Sequence, residues 1–164
     1  MKTDLYFEDV VIDEVMISPE RNITPDDIAA FCALTEDFHP LHTDAEYAKS
    51  RGFPGLIAHG LYGLALMEGL KTSMNLYANT SIASLGWDAV RFKQPVLAGD
   101  TVRVSFNVID KRLSSRPGRG VLTEAVRLIN QRDEVVIDAR HVALVLARDS
   151  SACGSTDSNQ RRQG

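Results

Sequence analysis

The spacing of apolar residues changes from a helical period to a strand period about halfway along this chain. In the first half, Thr24 and Pro25 start a short amphipathic helix, because threonine caps a helix and proline suits its first position. Pro40 prevents that helix from continuing far. Upstream of it, residues 1–21 form an irregular segment with some strand character.

The most apolar helix of the pattern is predicted at residues 60–76. Apolar side chains surround its early turns and leave little polar face. A helix that is apolar all round is normally buried. At about 1.5 Å per residue this helix is roughly 25 Å long, which is enough to cross a small domain.

Four strands are predicted after this helix, because the apolar period becomes two. The turns between them are short, which is typical of an antiparallel meander. A buried helix followed by such a meander predicts an α+β domain, with an antiparallel β-sheet curved around the long central helix. The predicted strands are residues 82–92, 101–112, 121–130 and 134–147.

Length and composition place these elements in one globular domain. The chain has 164 residues, of which 44% are hydrophobic and 24% are charged, and this suffices for one core. We assign residues 1–148 to the domain. Residues 149–164 contain no aliphatic side chain larger than alanine, so we expect a disordered polar tail there.

Charge, apolar runs and cysteine content indicate which partners and which cell compartment to expect. The net charge of −4 argues against a protein built to bind nucleic acid. No apolar run reaches about eighteen residues, so no membrane span is expected. The first residues are too acidic for a secretory signal, and Cys32 and Cys153 are not expected to pair. We therefore expect a cytoplasmic protein.

The segment TEDFHPLHTD, residues 35–44, carries the strongest candidate chemistry. It holds two histidines and three carboxylates in ten residues. Pro40 forces a turn between Asp37 and His42, so both side chains can face one cleft and share a water as a general acid–base pair. Taken alone, Asp37 is more often a helix-end residue and His42 more often a structural one.

The start of the central helix, Ala58-His59-Gly60, is a second candidate feature. The first backbone N–H groups of a helix have no partner within it. Gly60 has no side chain to obstruct a ligand, so its N–H can hold an oxygen that gains negative charge. The alternative is that His59 and Gly60 form only a helix cap.

A metal site is a further alternative within the same region. His39 and His42, with Asp37 or Asp44, offer a set of metal ligands. The proline between the two histidines removes the helical geometry that usually aligns such ligands. We therefore predict no metal.

A basic loop between two predicted strands, SSRPGRG, contains Arg116 and Arg119. Such a loop is usually solvated charge. Its alternative role is to bind phosphate groups. We retain Arg116 and Arg119 as candidate substrate-binding residues.

Three motifs resemble those of the MaoC-like, (R)-specific enoyl-CoA hydratases. Residues 35–42 resemble the SEDFNPLH-like segment of that family, and residues 57–60 resemble its HG helix start. Residues 92–100, FKQPVLAGD, match the family's F-x-x-P-V-x-x-G-D. The order and the separations also match, and the resemblance extends over residues 7–147.

The resemblance implies a hot-dog fold and a homodimer or higher homo-oligomer with its site in a tunnel near the subunit interface. It also implies reversible addition of water to a trans-2-enoyl-CoA, giving the (R)-3-hydroxyacyl-CoA. By match to the motif, Asp37 and His42 activate the water and the Gly60 N–H holds the thioester oxyanion. No cofactor is implied beyond the coenzyme A of the substrate.

Two residues depart from the family pattern and bear on the substrate. His39 stands where many hydratases have asparagine, and Glu68 stands where some members have a small polar residue. If Glu68 faces the tunnel, it favours a polar or charged acyl group. We take His39, His59 and Glu68 as candidate substrate-binding residues, with short fatty and branched dicarboxylic (mesaconyl-type) acyl groups both open.

Two other functions remain as alternatives on the same fold. An acyl-CoA thioesterase also handles thioesters at a helix N-terminus, but as a rule lacks the Asp37–His42 pairing. A non-catalytic acyl-thioester binding subunit has no need to retain that pair. Release of free thiol distinguishes the first, and binding without turnover distinguishes the second.

Overall fold

A computed structural model describes residues 3–148, so the tail predicted at 149–164 lies outside the described residues. Within that range the chain forms a 3₁₀ turn, four α-helices and six strands. The helices are α1 (Pro25–Thr35), α2 (Pro40–Thr43), α3 (Ala45–Ser50) and α4 (Gly60–Thr72). The 3₁₀ turn is Phe7–Asp9, and the strands are β1 (Met16–Ile17), β2 (Arg21–Asn22), β3 (Ser81–Phe92), β4 (Thr101–Leu113), β5 (Arg119–Asn130) and β6 (Val135–Leu146).

All six strands form one antiparallel sheet. Its order is β1-β4-β5-β6-β3, and the short β2 also pairs with β4. The strands β4, β5 and β6 are joined by tight turns in chain order, as the predicted meander requires. The predicted α+β class with an antiparallel sheet around a central helix is confirmed.

Helix α4 packs against the inner face of the sheet and forms the core with it. Met67 and Leu70 of α4 are buried among residues of β4, β5 and β6, including Phe106, Leu128 and Ile137. The contact is close at Gly63, where an added Cβ would lie 2.5 Å from Cδ1 of Ile137. Glycine at this position therefore lets the helix lie directly on the sheet.

The helix caps follow the local sequence. The Thr24 hydroxyl accepts a hydrogen bond from the Asp27 N–H at 3.1 Å, and the Asp27 carboxylate accepts from the Thr24 N–H at 2.9 Å. This reciprocal arrangement is a capping box, and it starts α1 at Pro25 as predicted. Asp44 caps α3 through the N–H groups of its first turn.

Two predictions about α4 are corrected by the structure. The helix ends at Thr72 rather than at residue 76, because Asn75 adopts the left-handed conformation, with φ at 55°. The helix is also not buried on all sides. Leu61 and Ala65 are exposed, since within one chain only one face of α4 meets the sheet.

The strand predictions and the search for a membrane-spanning helix were also compared with the described residues. The predicted strand character before residue 18 is limited to Met16–Ile17, and the predicted bounds of the four long strands are correct to within two residues. Across residues 3–148, no helix has the length and apolarity needed to cross a membrane.

Replacement of Gly63 by alanine should destabilise the fold. The new Cβ forces Ile137 to move, and overpacking of this kind costs about 1–3 kcal/mol in the free energy of unfolding. Gly55→Ala is the matched control, because nothing lies within 4 Å of its added Cβ, and it should be neutral or stabilising by up to about 1 kcal/mol. Urea unfolding of both variants measures the difference, and equal midpoints would contradict the close contact.

Candidate active site

A main-chain carbonyl fixes the ring of His42. The residue lies on α2, which Pro40 begins at the first helical position. Its Nδ1 is 2.7 Å from the carbonyl oxygen of Ile57. Because a carbonyl oxygen only accepts, Nδ1 carries the proton and donates it. The neutral ring therefore keeps a lone pair on Nε2, through which it can act as a base.

The Asp37 carboxylate lies close to His42, across the turn that Pro40 imposes. Helix α1 ends at Thr35, and the next residue, Glu36, has a left-handed φ of 62°, so the chain turns there before Asp37. One oxygen of Asp37, Oδ1, accepts a hydrogen bond from the His39 N–H at 3.2 Å. The side chain is half exposed, so its carboxylate is open to solvent. The structure thus brings the predicted pair, Asp37 and His42, together.

The buried His59 contacts both members of this pair. Its side chain is only 4% exposed, and its ring stacks on His42 with centroids 3.7 Å apart. Its Nε2 donates to the carbonyl oxygen of Asp37 at 3.0 Å and lies 3.8 Å from Oδ2 of the same residue. Among the described residues its Nδ1 is buried without a hydrogen-bond partner. His59 therefore supports the His42 ring and fixes the backbone of Asp37.

A cavity of about 400 Å³ opens beside these residues at the start of α4. His42, His59 and Gly60 contribute to its wall, together with Phe92 and Lys93 from the end of β3 and the segment after it. An added Cβ on Gly60 would lie 2.8 Å from a ring carbon of Phe92. Glycine therefore leaves room for the Phe92 ring at the helix start, where unpaired N–H groups favour a negatively charged ligand atom.

The electrostatic surroundings keep His42 neutral. Burial lowers the pKa of the His42 imidazole below its ordinary value, and the nearby rings of His59 and His39 act in the same direction. The Ile57 carbonyl and the Asp37 carboxylate oppose that change and do not cancel it. A neutral imidazole at neutral pH is the form that can remove a proton from water.

The same three side chains also have the spacing of metal ligands. One ligand atom each from Asp37, His42 and His59 lies within 4.8 Å of the others. This set differs from the metal alternative drawn from the sequence, because His59 replaces His39. The His39 ring instead caps α2, where Nδ1 accepts from the Leu41 N–H at 3.3 Å.

Three predicted substrate-binding residues lie away from this cavity within one chain. Glu68 lies two turns further along α4 and lines a different cavity. Arg119 is the first residue of β5 and Arg116 lies in the loop before it, at the opposite end of the strand from Leu128, which lies near Gly63 of α4. Nine residues of strand separate Arg119 from Leu128, a distance of about 30 Å.

Sequence analysis does not single out a second group of polar residues, which lines the cavity near the end of α4. Glu124 and His141 are buried there, and the largely covered Lys71 contacts both of them. One sequence signal could have found them. Glu124 occupies the inward phase of β5, between the buried Leu122 and Val126, and a charged residue in an apolar phase indicates a buried polar partner.

Comparison with known proteins identifies relatives of this chain. A family profile described as "MaoC like domain" matches residues 8–128. The (R)-specific enoyl-CoA hydratase of Aeromonas caviae is 33% identical over 116 residues, covering 71% of this chain and 81% of that protein. The mesaconyl-CoA hydratase of Cereibacter sphaeroides is 30% identical over 155 residues, or 93% of this chain. The chain spans only 45% of the length of that second relative.

A solved structure has a fold similar to that of this chain. An Archaeoglobus protein described as a monoamine oxidase regulatory protein superposes with a TM-score of 0.83 at 36% identity. The match covers 90% of this chain and 97% of that one. The predicted hot-dog fold is confirmed.

The His42 imidazole should titrate below about pH 6.5, the ordinary value for histidine. Its folded-state pKa is lowered, mainly by burial, so between the two pKa values the unfolded chain binds more protons. The folded state therefore loses stability as the pH falls below about 6.5. The C2 proton resonance of His42, assigned by its absence in His42→Gln, measures this midpoint by NMR. A midpoint at or above 6.5 would contradict the prediction.

Proposed function

The chain belongs to the MaoC-like dehydratase family, and on that premise we propose that it hydrates a trans-2-enoyl-CoA to the (R)-3-hydroxyacyl-CoA, or catalyses the reverse dehydration. Members of this family are hydratases and dehydratases. The observation that carries the proposal is the pairing of Asp37 with a neutral His42 beside the start of α4. The names of the two curated relatives point to the same reaction class.

The proton positions of the site suit this reaction. Because His42 Nδ1 is held by the Ile57 carbonyl, Nε2 can accept a proton from a water that Asp37 also binds. The water oxygen attacks Cβ of the enoyl thioester, and His42 returns the proton it has accepted to Cα. Negative charge develops on the thioester oxygen, where the Gly60 N–H and the dipole of α4 stabilise it. All of these steps proceed through this chain's own residues and the substrate.

The proposed substrate is an acyl thioester of coenzyme A with a short acyl group. The cavity beside Gly60 measures about 400 Å³, which is at the small end of the usual range for ligand sites. Its wall is mostly apolar, with Phe53, Leu61 and Phe92 among its residues. An enoyl group is flat and apolar, so such a wall can hold it against the helix start.

We also propose that the protein is a homodimer. A helix that is apolar all round is normally buried on every side, yet the face of α4 that carries Leu61 and Ala65 is open in one chain. A second copy packed on this face would bury it next to the cavity. This arrangement would bring the site to a subunit interface.

Removal of either member of the catalytic pair should abolish most turnover. Asp37→Asn and His42→Ala should each lower the hydration rate of crotonyl-CoA by about 10²–10⁴, the usual contribution of a general acid or base. Glu36→Gln is the matched control, since it neutralises the neighbouring carboxylate and should retain activity. Loss of the conjugated enoyl-thioester absorbance measures the rate.

Three outcomes of this assay would overturn the proposal. Near-normal rates in both variants would remove the pair from the mechanism. Release of one free thiol for every enoyl group lost would leave no hydration and would indicate a thioesterase. Loss of activity after treatment with a chelator, restored by Zn²⁺, would show that Asp37, His42 and His59 hold a metal ion.

A charge on the open face of α4 should separate the dimer. Ala65→Arg should convert a particle of twice 18.1 kDa into one of a single chain, because the arginine would be buried without a partner. Leu34→Arg on α1 is the control, since Leu34 is 81% exposed and lies on another helix. Sedimentation equilibrium measures both masses, and a wild-type monomer would contradict the proposal.

A further inference from the structure

A second cavity, of about 300 Å³, lies near the other end of α4 and holds a chain of hydrogen bonds. Ser84 Oγ is 2.8 Å from Nε2 of His141, and Nδ1 of the same ring is 2.8 Å from Oε2 of Glu124. His141 and Glu124 are each only 2% exposed, whereas Ser84 is exposed. Eleven residues of α4 separate Gly60 from Lys71 in this cavity, a distance of about 16 Å. The two cavities are therefore separate sites within one chain.

The direction of these hydrogen bonds follows from the chemistry of Glu124. Burial opposes ionisation of this carboxylate, but the His141 ring and the ammonium group of Lys71 both bind it, and together they lower the pKa of Glu124. A carboxylate only accepts, so a 2.8 Å contact requires the ring proton on Nδ1 of His141. Nε2 then has the lone pair, and the Ser84 hydroxyl donates to it.

Lys71 contacts this chain of hydrogen bonds and does not change the direction of the bonds. Its Nζ pairs with Glu124 and lies 2.9 Å from Nδ1 of His141 and 3.7 Å from Glu68. Because Nδ1 of His141 carries a proton that points to Glu124, the contact of Lys71 with Nδ1 is not a hydrogen bond. The ammonium group directs its own protons to the two carboxylates.

Two aromatic residues lie in the same region, one lining the cavity and one against the His141 ring. The Tyr77 hydroxyl is buried without a hydrogen-bond partner among the described residues, and Tyr77 lines the same cavity. Burial raises the pKa of this phenol, so it remains a donor at neutral pH. The indole of Trp87 lies 4.5 Å from the His141 ring, centroid to centroid, and limits its rotation.

We propose that Ser84 is a second, acyl-accepting nucleophile, with His141 as its general base and Glu124 as the group that orients the base. An exposed serine, a buried histidine and a buried carboxylate in hydrogen-bond contact are the arrangement that activates a serine hydroxyl. The ligand class is a small activated ester or thioester whose acyl group fits about 300 Å³. This activity goes beyond the hydration proposed above and does not use Asp37 or His42.

The proposed reaction has two balanced steps. Ser84 Oγ bonds to the acyl carbon while its proton passes to His141 Nε2, and Tyr77 donates to the carbonyl oxygen as that oxygen becomes negative. The carbon–oxygen or carbon–sulfur bond then breaks, and the leaving alcohol or thiol takes the proton from His141. Water, deprotonated by His141, later attacks the acyl carbon, releases the carboxylic acid and restores the Ser84 hydroxyl.

Covalent labelling tests the nucleophile directly. An alkyl fluorophosphonate should give one adduct per chain, with loss of fluoride, and peptide mass spectrometry should locate it on Ser84. Ser84→Ala should lose the adduct. Ser81→Ala is the matched control, because Ser81 lies on the same strand and lines the same cavity, and it should be labelled like the wild type.

Turnover of p-nitrophenyl acetate tests the other two roles. Glu124→Gln should slow release of p-nitrophenol by at least about 10-fold, and Tyr77→Phe by about 10²-fold, the usual effect of losing one oxyanion donor. A structural role for Glu124 would change the unfolding midpoint and leave the labelling rate of the folded protein unaltered. That result would remove Glu124 from the mechanism.

The experiments test the nucleophile and the proposed hydration separately. Asp37→Asn should retain labelling at Ser84, and Ser84→Ala should retain hydration of crotonyl-CoA. Absence of an adduct in wild-type protein that hydrates crotonyl-CoA would overturn the nucleophile alone. An adduct on any residue other than Ser84, or equal labelling of Ser84→Ala, would overturn it as well.

Discussion

The close contact between Gly63 of α4 and Ile137 of β6 sets the position of everything that carries chemistry in this chain. An added Cβ at Gly63 would lie 2.5 Å from the terminal methyl group of Ile137, so the helix lies at this depth against the present conformation of Ile137 because residue 63 has no side chain. Once α4 lies on the sheet, its first residue reaches Phe92 and the His42–His59 stack. Its last turn brings Lys71 to Glu124 and His141. One packing distance thus positions a site near each end of the helix.

In both sites, a group that can only accept a hydrogen bond fixes which nitrogen of a histidine ring carries the proton. The Ile57 carbonyl holds the proton of His42 on Nδ1, and the Glu124 carboxylate holds that of His141 on the corresponding atom. In each case the lone pair is left on Nε2. The difference lies in charge: a neutral carbonyl leaves the His42 ring a base tuned mainly by burial, whereas Glu124 and Lys71 surround His141 with opposite charges. The same ring can therefore serve two different kinds of chemistry.

The buried Lys71–Glu124 pair is difficult to explain by stability alone. Desolvating two charges costs several kcal/mol, and well-packed apolar residues of similar size often stabilise a core as well or better. The residues that line the cavity include the small or apolar Ala83, Ala143 and Val145 as well as polar residues such as Thr72 and Asn75. A charged pair in such a place costs stability, and that cost is consistent with a chemical role for the groups it holds.

The amino-acid sequence by itself determined the order and kind of the elements. The signals that did so are local, and each acts over a few residues. They are the alternation of inward and outward residues along β4 and β5, the capping box at Thr24 and the proline at the start of α2. The turn at Pro40 likewise brings Asp37 and His42 near each other, because only four residues lie between them. The motifs around them were enough to indicate the family, since order and spacing are properties of the chain.

Only the tertiary structure decided which distant residues share a cavity. His59 joined the Asp37–His42 pair by ring stacking, Glu68 proved to line the second cavity, and Arg116 and Arg119 proved to lie far from the first. The Ser84–His141–Glu124 chain joins three strands separated by up to 57 residues, and its members meet because the sheet places β5 next to β6 and β6 next to β3. Pairing of strands and depth of helix packing depend on the whole core, so local spacing along the sequence does not determine them.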